Sequence, residues 1–116
     1  MSTANVPRRG EIWYVDLGDH TKTLVLVVSA NAFEGLPVRL VARLRPWEDR
    51  FNDLVWMQRL DSTWPTQLSA PHAVDVLQLY SIDVHCFQKL VGRAPATKMD
   101  EIAAAIALVV DYVPPT

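Results

Sequence analysis

The sequence predicts a small, mainly β domain of five or six short strands with one C-terminal helix. Three observations predict it. Short segments that alternate with period two, or run unbroken in Val and Leu, recur from Arg9 to about Gly92. Connections rich in Gly, Pro, Asn and Asp separate them. One stretch of helical spacing then follows Pro95. The 116 residues make a single domain, 1–116, long enough to bury a core.

Residues 1–8 are polar around Pro7 and are expected to be loosely ordered. The first strand is Arg9-Gly10-Glu11-Ile12-Trp13-Tyr14-Val15-Asp16-Leu17-Gly18. Trp13, Val15 and Leu17 fall on one side, and Ile12, Tyr14 and Asp16 on the other. Asp19-His20-Thr21-Lys22-Thr23 is a polar loop. Leu24-Val25-Leu26-Val27-Val28-Ser29 is a second strand whose two faces should both be covered. Asn31–Pro37 reads as a connection.

The third strand, Val38–Leu44, has one apolar face of Val38, Leu40, Ala42 and Leu44. Arg39, Val41, Arg43 and Arg45 share the other, and Pro46 ends the pairing. Leu54–Leu60 is the fourth strand. Asp61–Pro71 is a loop holding Trp64. Ala73–Tyr80 is the fifth strand, with Ala73, Asp75, Leu77 and Leu79 on one face. Ser81–Phe87 is expected to hold a short helical turn capped by Ser81, and Gln88–Gly92 a last strand. The helix follows Pro95, with Thr97 as N-cap and Asp100 and Glu101 in its first turn. Met99, Ile102, Ile106, Val109 and Val113 form its apolar stripe, and Pro114-Pro115 stops it.

Composition excludes some classes. The net charge is −2 and the pI about 5.8, so any nucleic-acid site must be a local patch. Cys86 is the only cysteine, which rules out an intrachain disulfide and fits a reducing cytosol. No charged-then-apolar leader opens the chain, and the apolar run near Ala103–Val110 is too short to span a bilayer. A cytoplasmic protein is expected. Cys and His nowhere adopt zinc spacing, and no Gly-rich phosphate loop occurs, so neither a metal nor another cofactor is expected.

Arg9 to Gly18, followed by Val25-Leu26-Val27-Val28-Ser29, resembles the opening of the MazF/PemK family of toxin ribonucleases. Members read R-G-E-I-W-x-V-D-L-G and, after a loop, R-P-V-L-V-V-S. Leu77-Gln78-Leu79-Tyr80-Ser81-Ile82-Asp83 is similar to the family's D-Q-I-R-T-V-D segment, and Leu90-Val91-Gly92-Arg93 to its I-G-x-L turn. The resemblance implies a small SH3-like β-barrel, of the type that CcdB shares, with helices attached. It further implies a toxin of a type II toxin–antitoxin system: a metal-independent endoribonuclease on single-stranded RNA, a homodimer, and a cognate antitoxin covering the RNA groove.

Cleavage of that kind needs a base for the ribose 2′-hydroxyl, positive charge beside the phosphorane and an acid for the leaving 5′-oxygen. In the family an Arg of R-P-V-L-V-V-S and a Thr or Ser closing the third strand centre these roles. Here Thr23 stands at the Arg position and Arg45 at the Thr position. The cation and the hydroxyl have changed places, or a degenerate copy has lost its catalytic Arg and only binds RNA or an antitoxin peptide. A one-residue slip of the alignment would bring in Lys22. His20 is the acid–base candidate, weighed against a solvated surface histidine. His72 reads as structural, and the neighbours His85 and Cys86 make no metal site.

Five of the eleven basic residues, all arginine, lie between positions 39 and 59. Arg39, Arg43, Arg45 and Arg59 are the candidate phosphate patch, against salt bridging to Glu48, Asp49 and Asp53. Trp47 and Trp64, in loops, are candidates to stack on bases or to contact a partner protein, and Gln78 joins the RNA-contact set. Trp13 and Trp56 read as core. A gyrase poison of the CcdB type relies on a Trp-Gly-Ile end, and the chain given ends Val113-Pro114-Pro115-Thr116, which speaks against that reading.

Overall fold

The computed structural model describes residues 6–113 and 115. Six strands form one antiparallel sheet: β1 (Glu11–Asp16), β2 (Lys22–Val27), β3 (Val38–Pro46), β4 (Met57–Leu60), β5 (His72–Asp83) and β6 (Phe87–Arg93). Their spatial order is β4-β5-β3-β2-β1-β6. The helix α1 (Ala96–Val109) follows and packs against β4 and β5. This is the mainly β architecture of an SH3-like fold with a C-terminal helix, although among the described residues no β4–β6 ladder closes it.

Alternation places the two faces of the sheet in separate cores. Ile12, Leu26, Ala42, Leu44 and Val74 pack with Met99, Ile102 and Ala105 of α1. Trp13, Val15, Val25, Val27, Val41, Ile82 and Phe87 pack together on the opposite face. Burial of this kind is worth about 1.5–3 kcal/mol per large aliphatic side chain. A third cluster of Phe51, Met57 and Ala73, flanked by Trp47, Leu54 and Trp56, lies under the β3–β4 connection.

The β3–β5 ladder carries a large irregularity. Ala42 pairs with Leu79, but the next residue, Arg43, pairs with Asp75. Val76, Leu77 and Gln78 therefore bulge away from β3. Val76 donates instead to the Trp56 carbonyl at 3.0 Å, and Leu77 to the Asp75 Oδ1 at 3.1 Å. A bulge bends its strand and re-aims the side chains beside it.

Several boundaries differ from the expectation, each for a local reason. The fourth strand starts at Met57, not Leu54, because Leu54 and Met57 close turns of their own onto Phe51 and Leu54. The fifth runs on to Asp83, since β3 pairs with it that far. The turn after it is a 3-10 turn at Val84–Cys86, and Asp83 rather than Ser81 caps it by accepting from the His85 amide at 2.8 Å. Thr97 lies inside α1. Pro95 takes the N-cap place without a side-chain bond, so Asp100 and Glu101 fall beyond the first turn. The helix ends at Val109 and the chain turns through Asp111 at φ 61°, leaving Val113 exposed and off the stripe.

Residues 1–5 and Pro114 lie outside the described residues, so the expectations placed on them stay there. Pro7 and Arg8 are not loose. The Pro7 carbonyl accepts from Arg39, the Arg8 amide donates to Glu11, and its guanidinium pairs with Glu34 at 2.7 Å.

Candidate functional site

The site is built at the end of the sheet where β2 begins and β3 ends. Val15 pairs with Thr23, and Trp13 with Val25. Val25 pairs with Arg43, the last rung between β2 and β3. Thr23 and Arg45 each lie two residues beyond that rung, so the register sets them across from one another. On the far side Arg43 pairs with Asp75 and Arg45 with Ala73, which in turn pair with Met57 and Arg59 of β4. Paired residues in antiparallel strands share a face. Thr23, Arg43, Arg45, Asp75 and Arg59 thus line one face, continuous with the Trp13–Val25–Val41 core.

Lys22 does not join them. It pairs with Asp16 and shares its face with Leu24 and Leu26, on the helix side. Successive strand residues point to opposite faces, so Thr23 and Lys22 cannot both serve one site.

Arg45 is held from two sides. Its Nη1 stands 3.7 Å from Oδ2 of Asp75, and its Cζ lies 5.5 Å from the centre of the Phe51 ring. Its side chain keeps 38% of its exposure, while that of Asp75 keeps 4%. Arg50 shares the Phe51 ring at 4.9 Å and pairs with Glu48 at 3.2 Å. The Arg50 hydrogen bonds hold the Glu48 carboxyl below the usual carboxylate range, against a smaller desolvation effect. Arg59 pairs with Asp61 at 2.7 Å and covers the Trp47 ring at 5.1 Å. Arg43 is exposed, and no ion pair holds it among the described residues.

Arg39 leaves the candidate patch. It is buried, and its guanidinium donates to the carbonyls of Pro7, Leu36, Val38 and Glu34 at 2.8–3.0 Å. Those donors tie the Asn31–Pro37 connection onto β3 and are not available to a phosphate. Trp47 is no open stacking platform either. It is half-buried edge-on against Phe51 at 5.7 Å, under Arg59, and its buried indole Nε1 finds no hydrogen-bond acceptor among the described residues. Trp64 is 81% exposed but lines a cleft with Leu90, Gly92 and Arg93 of β6, the opposite edge of the sheet. Trp56 packs against both the helix-side core and the Phe51 cluster.

His20 lies exposed in the β1–β2 loop at φ 62°. The loop is shaped by Asp19, which accepts from the hydroxyl and, at 3.0 Å, the amide of Thr21. Those bonds, the hydroxyl first, hold the Asp19 carboxyl below its usual range. Gln78 sits half-buried on the bulge and accepts from the Tyr80 hydroxyl. His72 bonds through Nδ1 to the Ala70 carbonyl at 2.8 Å, a structural setting.

Asp75 is the residue that the sequence reading passed over. Its signal was there: a lone carboxylate inside Ala73-Val74-Asp75-Val76-Leu77 must find a partner when the strand is buried. Among the described residues no group of three His, Cys, Asp or Glu side chains converges to hold a metal ion, and no helix is long and apolar enough to cross a membrane.

No curated protein sequence matches the chain. Solved structures do. Mycobacterium tuberculosis toxin MazF-mt6 superposes with a TM-score of 0.76 at 19% identity, over 90% of this chain and 99% of that one. An endoribonuclease in complex with its cognate antitoxin, from a mycobacterial species, gives 0.74 at 18%, covering 94% and 99%. A MazE–MazF structure from Deinococcus radiodurans gives 0.75 at 15%, covering 94% and 100%. At such identity the likeness is one of fold. The sequence itself carries the family: residues 8–110 match the model of the PemK-like, MazF-like toxin of type II toxin–antitoxin systems, and the chain belongs to that family.

Proposed function

We propose that this toxin is an endoribonuclease that cuts single-stranded RNA in the cytoplasm, as a homodimer silenced by a cognate antitoxin. The observation that carries the reading is that Thr23, Arg43 and Arg45 share one face at one end of the sheet. A hydroxyl and two guanidinium groups around one phosphodiester supply what the reaction needs near phosphorus. The guanidinium groups stabilise charge on the non-bridging oxygens, and the Thr23 hydroxyl donates to one of them. The ribose 2′-oxygen attacks, the bond to the 5′-oxygen breaks, and a 2′,3′-cyclic phosphate and a 5′-hydroxyl result. One proton leaves the 2′-hydroxyl and one reaches the 5′-oxygen. His20, exposed on the β1–β2 loop three residues before Thr23, is the side chain we assign to one of these transfers.

The names of the solved structures support the reading: two are endoribonucleases of mycobacterial species, and one of those is bound to its cognate antitoxin. The test is purified protein with several unstructured RNA oligonucleotides in EDTA. Cleavage is expected, with Arg45→Ala abolishing it and Lys22→Ala mattering little. Intact RNA, or the reverse order of the two variants, would reject the assignment.

A second reading has two observations in its favour. Arg45 leans on Asp75, and Thr23 stands where the family carries its catalytic arginine. A binding module that grips RNA without cutting it would show tight association and no turnover in the same assay.

A further inference from the structure

We infer that Asp75 is a positioning residue for Arg45, an inference that rests on the ribonuclease reading of this face. Both carboxylate oxygens are committed. Oδ1 accepts the Leu77 amide at 3.1 Å, and Oδ2 faces Arg45 Nη1 at 3.7 Å. The side chain is 4% exposed, too enclosed to take a proton from a ribose hydroxyl. A carboxylate buried so completely persists in a fold only when it is paired.

The choice of partner is informative. Directly across from Asp75 on β3 is Arg43, yet the ion pair forms with Arg45, two residues further along. Arg43 stays exposed and free of ion pairs among the described residues. Arg45 is the arginine that needs an anchor, because the β2–β3 ladder ends at Arg43 and no rung from β2 fixes it. Asp75 on one side and the Phe51 ring on the other supply that anchor. At 3.7 Å the pair is longer than a hydrogen bond, so the guanidinium donors are placed without being used up. The bulge makes this possible. It seats Asp75, rather than Gln78, beside the last rung. An arginine set where the family has a hydroxyl thus comes with its own carboxylate holder.

The experiment is a double-mutant cycle on kcat with an unstructured RNA substrate, alongside NMR of the arginine Nε–Hε signals. Asp75→Asn is expected to lower kcat by about tenfold to a hundredfold, as misplacement of a reacting group does, with KM held. In an Arg45→Lys background, which keeps a cation and a measurable rate but lacks the fork that Asp75 orients, the same change should bring at most about a twofold further loss. The Arg45 signal should shift and broaden in Asp75→Asn while that of Arg43 stays. Losses that multiply in the double variant overturn the inference, as does an unmoved Arg45 signal.

If the wild-type protein cuts no RNA but the Arg45 signal responds to Asp75→Asn, the ribonuclease reading fails and the tether stands. Should Asp75→Asn not fold, Arg45→Gln carries the test: at fixed pH the side-chain carboxyl carbon signal of Asp75 in the NMR spectrum must then move from its wild-type position. An unmoved signal refutes the pairing.

Discussion

Gly92→Ala should damage the fold severely, and the geometry sets the size of the effect. Gly92 is buried in β6, and a Cβ built there would lie 2.0 Å from the Thr66 carbonyl oxygen, 2.5 Å from its carbon and 2.8 Å from the Pro65 oxygen. Those atoms are backbone and cannot rotate aside. Ordinary contact demands that the loop or the strand retreat by about 1.4 Å. The loop is pinned, since the Thr66 hydroxyl donates to the carbonyls of Asp61 and Thr63 at 2.7 and 2.9 Å, and Leu68 beside it is buried. Retreat would also break the bond from the Arg93 amide to the Pro65 carbonyl, now 3.0 Å.

Overpacking costs about 1–3 kcal/mol and a lost backbone hydrogen bond about 1 kcal/mol, together about 2–4 kcal/mol. For a chain of this size that lowers Tm by roughly 10–15 °C. Thermal unfolding followed by circular dichroism reads it directly. Gly35→Ala is the control, because its Cβ would meet nothing within 4 Å. A Gly92→Ala midpoint within about 2 °C of the wild type would refute the packing argument.

Three further outcomes are expected. Arg39→Lys should cost about 2–3 kcal/mol in chemical denaturation, because an ammonium cannot reach four carbonyls as the fork does, while the salt dependence of RNA binding stays as it was. Arg43→Ala should weaken RNA binding and make the slope of log K against log salt shallower by about 0.7, whereas Lys22→Ala should leave it unchanged; equal effects would mean that strand alternation does not define the site. The lowered Asp19 carboxyl steadies the β1–β2 loop above its unfolded pKa and loses that effect as pH falls through its folded one; an NMR titration of Thr21→Ala should show the Asp19 midpoint move up toward the ordinary value.

What was legible in the sequence followed from local pattern. The alternation within Arg9–Gly18 and the apolar run Leu24–Ser29 give β1 and β2, because each residue's face is set by its neighbours two positions away, although β2 takes in Lys22 and Thr23 from the expected loop and stops at Val27. Helix α1 was legible from its stripe, but not its cap. Pro95 fills the N-cap place with fixed φ, and that left Thr97 inside. Arg39 shows where pattern stops. It has the same parity as Arg43 and Arg45, yet the Asn31–Pro37 connection and Pro7 of the N-terminal segment meet over it and surround it with carbonyls. A period of two predicts a face, not what a distant loop lays upon that face. The bulge at Ala42/Arg43 is of the same kind. It displaces the β5 register by three residues and brings Asp75 to the site, and no turn residue or glycine in Val76-Leu77-Gln78 announces it.

The distribution of charge narrows what the site can hold. Of the five arginines between positions 39 and 59, Arg39 is walled in by carbonyls. Arg50 and Arg59 answer to Glu48 and Asp61, and Arg45 shares its charge with Asp75. Only Arg43 offers a cation that no described carboxylate offsets. A face of this kind does not form a broad basic groove able to track a long phosphate backbone, and a net charge of −2 adds no general attraction. On the proposed reading it would hold one phosphodiester, between Arg43 and Arg45. Grip on the rest of an RNA strand must then come from base contacts or from a second copy of the chain. On the proposed ribonuclease reading, such a site would spend its positive charge at the scissile bond, where charge develops in the transition state, rather than along the substrate, where it would deepen binding without speeding the cut.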